Sequence, residues 1–176
     1  GCRVAPCRGL FGAGGIGVDV SVFLTHTPET DQEWLAHWGV GDPAEHRGGL
    51  TTPTPRVPAR EVTLIQRKET PIGIDLGKTS GWAHRAVLKQ SAVTMVRGAS
   101  YDRIDDDGLH ITVDGAAHTI KADTIVVCAG QESVRGLYDE LVAAGIGAHL
   151  IGGADVAAEL DAKRAIKQGV EVASRA

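Results

Sequence analysis

The stretch Phe11-Gly12-Ala13-Gly14-Gly15-Ile16-Gly17 constrains this chain more than any other. It reads G-x-G-x-x-G, with Gly12, Gly14 and Gly17 at the three defining places and Ala13, Gly15 and Ile16 between them. Each glycine of such a motif has its own physical task. Gly12 allows a tight turn off a strand. Gly14 has no Cβ, so a pyrophosphate can approach the backbone. Gly17 lets the following helix pack close to the sheet. The helix N-terminus then presents free N–H groups and a partial positive charge to phosphate oxygens. Any glycine-rich turn can match so short a motif. Its meaning depends on a strand before it, a helix after it and a ribose reader farther on.

The strand before it is the weak point. Only Leu10 and Phe11 abut the glycines, and Val4-Ala5 is interrupted by Pro6, a residue unwelcome in a central strand. The pattern predicts a short first strand and an irregular stretch over residues 1–8. After the loop, Ile16, Val20, Phe23 and Leu24 recur at helical spacing and Pro28 closes the segment, which predicts a helix over 15–25. Residues 26–60 read as an excursion. It carries a short helix near Glu33 to Trp38, with Trp34, Leu35 and Trp38 on one face, and then a glycine- and proline-rich stretch.

Val62 to Gln66 is a clear strand that ends in Arg67-Lys68. The end of the second strand meets the adenosine ribose in dinucleotide folds. An acidic residue there suits the free 2′-hydroxyl of NAD, and a basic one suits the 2′-phosphate of NADP. Arg67 and Lys68 therefore favour NADP(H). Solvated strand-end charges are the competing reading. The excursion accounts for the long interval between the glycines and this reader, which ordinarily lies about 20 residues on.

Gly73 to Gly81 contains Gly77-Lys78-Thr79, but a phosphate loop of the G-x-x-x-x-G-K-[ST] type needs glycine at position 72, which is Ile72. A helix is expected over 81–90 with Trp82, Ala83, Ala86 and Val87 inward, then a third strand over 93–96. Residues 99–129 read as an antiparallel meander. In it Leu109, Ile111 and Val113 alternate with polar residues, and Asp114-Gly115 signals a hairpin turn. Asp105, Asp106 and Asp107 read as an acidic turn, without the spacing of a calcium loop. Strands are expected over 123–130 and 148–151, and a helix over 134–144 with Leu137, Leu141 and Val142 inside. A long last helix is expected after Gly152-Gly153-Ala154-Asp155-Val156. Such a strand–glycine–Asp–helix end contacts a cofactor's ribityl or phosphate region, or Asp155 simply caps the helix.

The class this implies is α/β: a Rossmann-like three-layer dinucleotide-binding domain over 1–122 with an antiparallel meander, then a second segment over 123–176. Composition narrows the function. A net charge of −4 with mixed signs argues against nucleic acid or an anionic membrane as partner. No apolar run approaches the roughly 20 residues that span a bilayer, and no signal peptide is evident. Cys2, Cys7 and Cys128 form no CxxC pair, so neither a zinc site nor a disulfide framework is indicated, and Cys128 reads as a small buried hydrophobe. These features fit the cytoplasm. The seven histidines show no metal spacing and no triad context, so no catalytic side chain and no metal ligand is assigned. That is expected where a cofactor carries the chemistry. The chain opens with glycine, which is read as a fragment or a trimmed chain.

Six stretches together carry a family resemblance: GAGGIGVDV (12–20), REVTLIQRK (60–68), DLGKTSGWAHR (75–85), YDRIDDDGLHI (101–111), TIVVCAGQES (124–133) and HLIGGADVAAELDAKRAIKQG (149–169). Through them the chain resembles the C-terminal part of the bacterial NADPH-dependent 2,4-dienoyl-CoA reductases, flavoproteins of the old yellow enzyme-like and trimethylamine dehydrogenase-like group. The excursion is a feature of that family as well. The resemblance implies a multidomain enzyme of fatty acid β-oxidation. Its barrel carries FMN, a 4Fe-4S cluster and the substrate's acid–base residues, and an FAD domain holds an inserted NADP domain. Electrons pass from NADPH to FAD, through the cluster to FMN, and on to the dienoyl-CoA.

The resemblance covers only the NADP domain and the closing part of the FAD domain. By it, Gly12 to Gly17 with Arg67 and Lys68 would hold NADPH. Gly130, Gly153, Asp155 and Val156 would lie near FAD in a partial site. FMN and the cluster would belong to a barrel on the same or another chain, so this chain alone is not expected to reduce a dienoyl-CoA. The alternatives are a partner-dependent or non-catalytic nucleotide-binding remnant, and a disulfide- or quinone-reductase type of flavoprotein. The missing CxxC argues against the disulfide type.

Overall fold

The computed structural model describes residues 5–158 and 162–175, and the readings made for residues 1–4 lie outside these. Contacts divide the chain into two compact units, Gly1–Ala129 and Gly130–Ala176.

The first unit is built on a parallel sheet of β1 (Ala5–Phe11), β2 (Arg60–Ile65), β3 (Thr94–Val96) and β7 (Thr124–Val127), in the order β3-β2-β1-β7. β1 is central, and its strand exists despite Pro6. The register breaks between Ala5 and Arg8, so Pro6 and Cys7 fall outside the regular ladder. The continuous pairing is the short run Arg8 to Phe11, which matches Val62 to Ile65 on one side and Thr124 to Val127 on the other. A proline lacks the N–H a ladder needs, and the irregularity takes it out of the ladder. Because β7 pairs with β1, the sheet reaches past the boundary expected after residue 122.

Helices α1 (Gly15–Thr25) and α3 (Gly81–Gln90) cover one face, and the meander β4 (Ala99–Asp105), β5 (Gly108–Val113) and β6 (Ala116–Ile120) covers the other. The pleat sorts side chains between these layers. Leu10, Val62 and Leu64 join Val18 and Leu88 in the helix-side core, whereas Ile65 joins Leu109 and Ile111 on the meander side. The expected three-layer α/β architecture is therefore present. The meander closes on Asp114 (φ 51°) and Gly115 (φ 79°), two left-handed residues of the kind a two-residue hairpin favours.

The helix spans at 15–25 and 81–90 agree with expectation, and their apolar positions turn inward in part: Val20 and Leu24 pack against the helix-side core, whereas Ile16, Phe23 and Trp82 are exposed. In α1 the buried residues are Gly17, Val18, Ser21 and Thr25, while Phe23 is 76% exposed and Ile16 is also exposed. The close approach required at Gly17 selects this face. The hydroxyls it buries are satisfied inside the helix: Ser21 Oγ donates to the Gly17 carbonyl at 2.7 Å and Thr25 Oγ1 to that of Ser21 at 2.8 Å. In α3, Trp82 is exposed and its indole N–H donates to the Thr79 carbonyl at 3.0 Å, leaving Leu88 as the core residue.

The excursion contains α2 (Asp31–Trp38), opened by a capping box between Thr30 and Glu33. The Thr30 bonds hold the Glu33 carboxyl below its usual range. Trp34 and Trp38 meet at a tilt, with 6.1 Å between ring centroids, yet α2 buries no residue. The excursion is tied down elsewhere. Glu29 bridges His37 Nδ1 and an Arg56 terminal nitrogen, each at 2.7 Å, with all three side chains largely shielded. Gln90 of α3 donates to the His37 carbonyl at 3.2 Å.

The second unit holds α4 (Gly136–Ala143), α5 (Gly152–Asp155) and α6 (Ala162–Ala173). The strand expected over 148–151 is absent; these residues are irregular. Among its described residues this unit contains no strand, so the ladder bonds of an extended segment would have no partner. The inward role expected of Leu137 and Val142 is also not met, since both are exposed.

Candidate functional site

The carboxyl ends of parallel strands set the site. From β1 the chain runs out to β2 and β3, then returns to pair β7 on the other side of β1. Strand order therefore reverses at β1. In open α/β sheets this switch point leaves a crevice at the strands' carboxyl ends. The glycine loop stands there.

The three glycines are used as the motif requires. Gly12 has φ +89°, and a Cβ on it would stand 2.6 Å from the Cys128 carbonyl oxygen. Its N–H donates to the Ile65 carbonyl at 3.0 Å, which fastens the turn to the end of β2. Around Gly14 and Gly15 no atom lies within 4 Å of an added Cβ, and both residues are exposed. Gly17 is the reverse case: a Cβ would stand 2.0 Å from the Gly12 carbonyl oxygen and 3.3 Å from Leu64 Cδ1. Helix α1 is thus pressed against the loop and the sheet, and its first turn faces open space. That turn carries no acidic residue, so its unpaired N–H groups and positive dipole end are uncompensated. Buried Ala13 and exposed Ile16 complete the loop. An open N-terminus beside bare glycine backbone fits a dinucleotide pyrophosphate.

Arg67 and Lys68 follow β2 and leave the sheet on the same edge. Phe11 pairs with Ile65, so the glycine turn and the 66–68 turn start side by side. The Gln66 side chain is buried and donates to the Lys68 carbonyl at 3.1 Å and to the Thr70 carbonyl. Gly98 N–H also donates to the Lys68 carbonyl, at 2.9 Å. The backbone carrying both cations is therefore fixed. Tyr101 donates to the Ile65 carbonyl at 3.3 Å. Burial pushes its phenol up, and the nearby Arg67 charge partly offsets this. Lys68 Nζ lies 2.9 Å from Asp75 Oδ2. Among the described residues Arg67 enters no ion pair. Neither Gln66, Tyr101 nor Asp75 was singled out from the sequence. Gln66 acts through local bonds within its own turn, Asp75 through a partner seven residues away and Tyr101 through a long-range contact, none of which a motif marks.

The remaining candidates lie in the second unit. Gly130 begins it, with φ +86° and open space around its Cα. Asp155 is not the cap of a long helix. It ends the four-residue α5, and its carboxylate accepts from Gln168 of α6 at 2.9 Å. Its carbonyl accepts from Arg135 and from Ser133 Oγ. The Val156 N–H is engaged by the Gly152 carbonyl at 3.1 Å, and the Val156 carbonyl accepts from Arg164. Gly153 is half-buried within α5. The structure thus ties Asp155 and Val156 to residues of their own unit.

Cys128, beside the Gly12 turn, is half-buried against the helix-side core, and burial raises its thiol. No group of three or more His, Cys, Asp or Glu among the described residues could hold a metal ion. An open cavity of about 460 Å³ lies within the excursion, between Leu35, Val40 and Thr51, and not at the glycine loop.

Residues 10–168 match the pyridine nucleotide-disulphide oxidoreductase family. The chain belongs to that family. Its members in general bind FAD and NAD(P). A mercuric reductase from Bacillus cereus is 29% identical over 79 residues, which is 43% of this chain and 12% of the relative. The solved structure of a 2-naphthoyl-CoA reductase in complex with 2-naphthoyl-CoA is similar over 96% of this chain and 21% of its own, with TM-score 0.60 and 19% identity. Histamine dehydrogenase from Rhizobium sp. 4-9 is similar over 87% and 21% respectively, with TM-score 0.57 and 14% identity. At these identities the structural likeness speaks for the fold. The chain spans about a fifth of each of these two structures. No helix among the described residues is long and apolar enough to cross a membrane.

Proposed function

We propose that this chain is the pyridine-nucleotide part of an NADPH-dependent flavin oxidoreductase resembling 2,4-dienoyl-CoA reductase. On this reading the first unit holds NADP(H), and Gly130–Ala176 is the closing part of an FAD domain. A barrel on the same or another chain carries the substrate chemistry, within the cytoplasm. When bound, the nicotinamide supplies a hydride that a flavin accepts. The residues here bind and orient: the loop Gly12 to Gly17 receives the pyrophosphate, and Arg67 with Lys68 receives the 2′-phosphate. Gly130, Gly153, Asp155 and Val156 contribute to the flavin side.

The observation that carries this reading is the pairing of an open glycine loop with an exposed cation pair at adjacent strand ends. The test is retention on immobilised 2′,5′-ADP against immobilised 5′-AMP. Selective retention on the first is expected, and Arg67→Ala with Lys68→Ala should abolish the selectivity. Equal retention of the unaltered protein would remove the role given to both residues.

A second reading is a partner-dependent or non-catalytic nucleotide-binding component. It is favoured by α4 and α6, which bury no residue of their own. As under the first reading with its partial site, the purified chain would carry little flavin, read from the visible absorbance of an oxidised flavin. Stoichiometric flavin would exclude it.

A further inference from the structure

Two cations follow β2, and the structure treats them differently. Arg67 is exposed and enters no ion pair among the described residues, whereas Lys68 is held by Asp75 at 2.9 Å. Asp75 is well placed for this. Its segment is fastened by buried Ile72 and by Arg85, which donates to the Gly73 carbonyl at 2.8 Å. Lys68 is fixed at its backbone by the two bonds to its carbonyl. The side chains of the pair are 71% and 72% exposed, so water screens their attraction and the bond is easily exchanged. A phosphate dianion is the stronger partner for an ammonium group.

We propose that Asp75 is a positioning residue that tempers the preference for a 2′-phosphorylated nucleotide by holding Lys68 until the phosphate takes it. This rests on the NADP reading of Arg67 and Lys68. Arg67 is the standing receiver of the 2′-phosphate. Lys68 joins it by leaving Asp75, so part of its attraction is spent on breaking the existing pair. A nucleotide with a free 2′-hydroxyl leaves the pair intact and loses nothing. Asp75 therefore narrows the gap between the two nucleotide classes. The segment Gly73 to Gly81, which resembles a phosphate loop only superficially, acquires a role through its carboxylate.

The test is calorimetric titration of the full chain with 2′,5′-ADP and with 5′-AMP. Asp75→Asn should tighten 2′,5′-ADP by about threefold, the scale of one exposed ion pair, and leave 5′-AMP unchanged. Asp75→Glu should behave like the unaltered protein. In a Lys68→Ala background the effect of Asp75→Asn should vanish, which separates action through Lys68 from a general change in charge. An equal shift for both ligands, no shift, or an effect that survives Lys68→Ala would overturn the proposal. If the unaltered protein binds both ligands alike, the NADP reading itself falls and this role falls with it. If it discriminates but Asp75→Asn changes nothing, only the role of Asp75 is lost.

Discussion

At the scale of single residues, the loop separates glycines that the fold needs from one that the fold leaves open and the proposed ligand would need. An added methyl at Gly17 would stand 2.0 Å from the Gly12 carbonyl, so α1 must move off the sheet. Gly17→Ala is expected to cost about 1–3 kcal/mol of stability, measured by urea unfolding. Gly14 has no atom within 4 Å of such a methyl. Gly14→Ala should change stability by no more than about 1 kcal/mol, the scale of a helix-cap exchange. It should nevertheless weaken 2′,5′-ADP in titration at least tenfold, about 1.4 kcal/mol, because the methyl stands where the pyrophosphate would approach. A Gly14→Ala protein that folds and binds normally would take the loop out of the site. The clearances at these glycines were legible in the sequence, since the motif encodes them directly. The inward face of α1 was legible only in part, through Val20 and Leu24. Phe23 and Ile16 are the more hydrophobic choices, but the turn that sets Gly17 against Gly12 rotates Val18, Ser21 and Thr25 inward instead.

At the scale of elements, the excursion and the meander show how short segments hold shape with few buried apolar residues. In the excursion, one carboxylate serves two partners: Glu29 holds His37 and Arg56 at 2.7 Å each. Removing it leaves a shielded guanidinium without its counter-charge, a loss of about 2 kcal/mol locally. Glu29→Ala should therefore speed tryptic cleavage after Arg47 and Arg56 while leaving the sheet folded. Unchanged cleavage rates would mean that the clamp does not hold the excursion. In the meander, Asp105 accepts from Arg103 Nε at 2.9 Å, lies 2.7 Å from His110 Nε2 and accepts the Asp107 N–H at 3.1 Å. The Arg103 bond first, then the His110 bond, lower its carboxyl from 3.8 to about 2. A depressed folded-state value contributes stability above the unfolded value, and that stability is lost as pH falls through the folded one. The advantage of the unaltered protein over Asp105→Asn should thus be full above pH 3.8 and vanish toward pH 2. Parallel acid-unfolding curves for the two would remove the network's contribution. The hairpin at Asp114-Gly115 was readable because turn chemistry is local. The first strand was harder to read, because its proline is accommodated by a register break that only its neighbours reveal.

At the scale of the whole molecule, the two units differ in how much apolar surface they bury. The first encloses two cores, one on each face of its parallel sheet. In the second, α4 and α6 bury no described residue, and Leu137 is 70% exposed, Ile166 65% and Val170 63%. The stretch over 148–151 forms no strand. Its composition is that of a buried element, which is why the sequence reads as a strand there. Local opening free energy follows buried contact. The amides of β1 and β2 should therefore exchange with deuterium at rates near global unfolding. Those of α4 and α6 should exchange many-fold faster, with protection limited to α5 and the side of α6 that Gln168 and Arg164 fasten to it. Adding FAD alone should leave the α4 and α6 rates unchanged. A chain supplying the complementary half of a flavin domain should slow them, because covering Leu137 and Ile166 requires protein surface. Strong protection of α4 and α6 in the purified chain by itself would show that their apolar face is already covered, and would remove the need for a partner at that end.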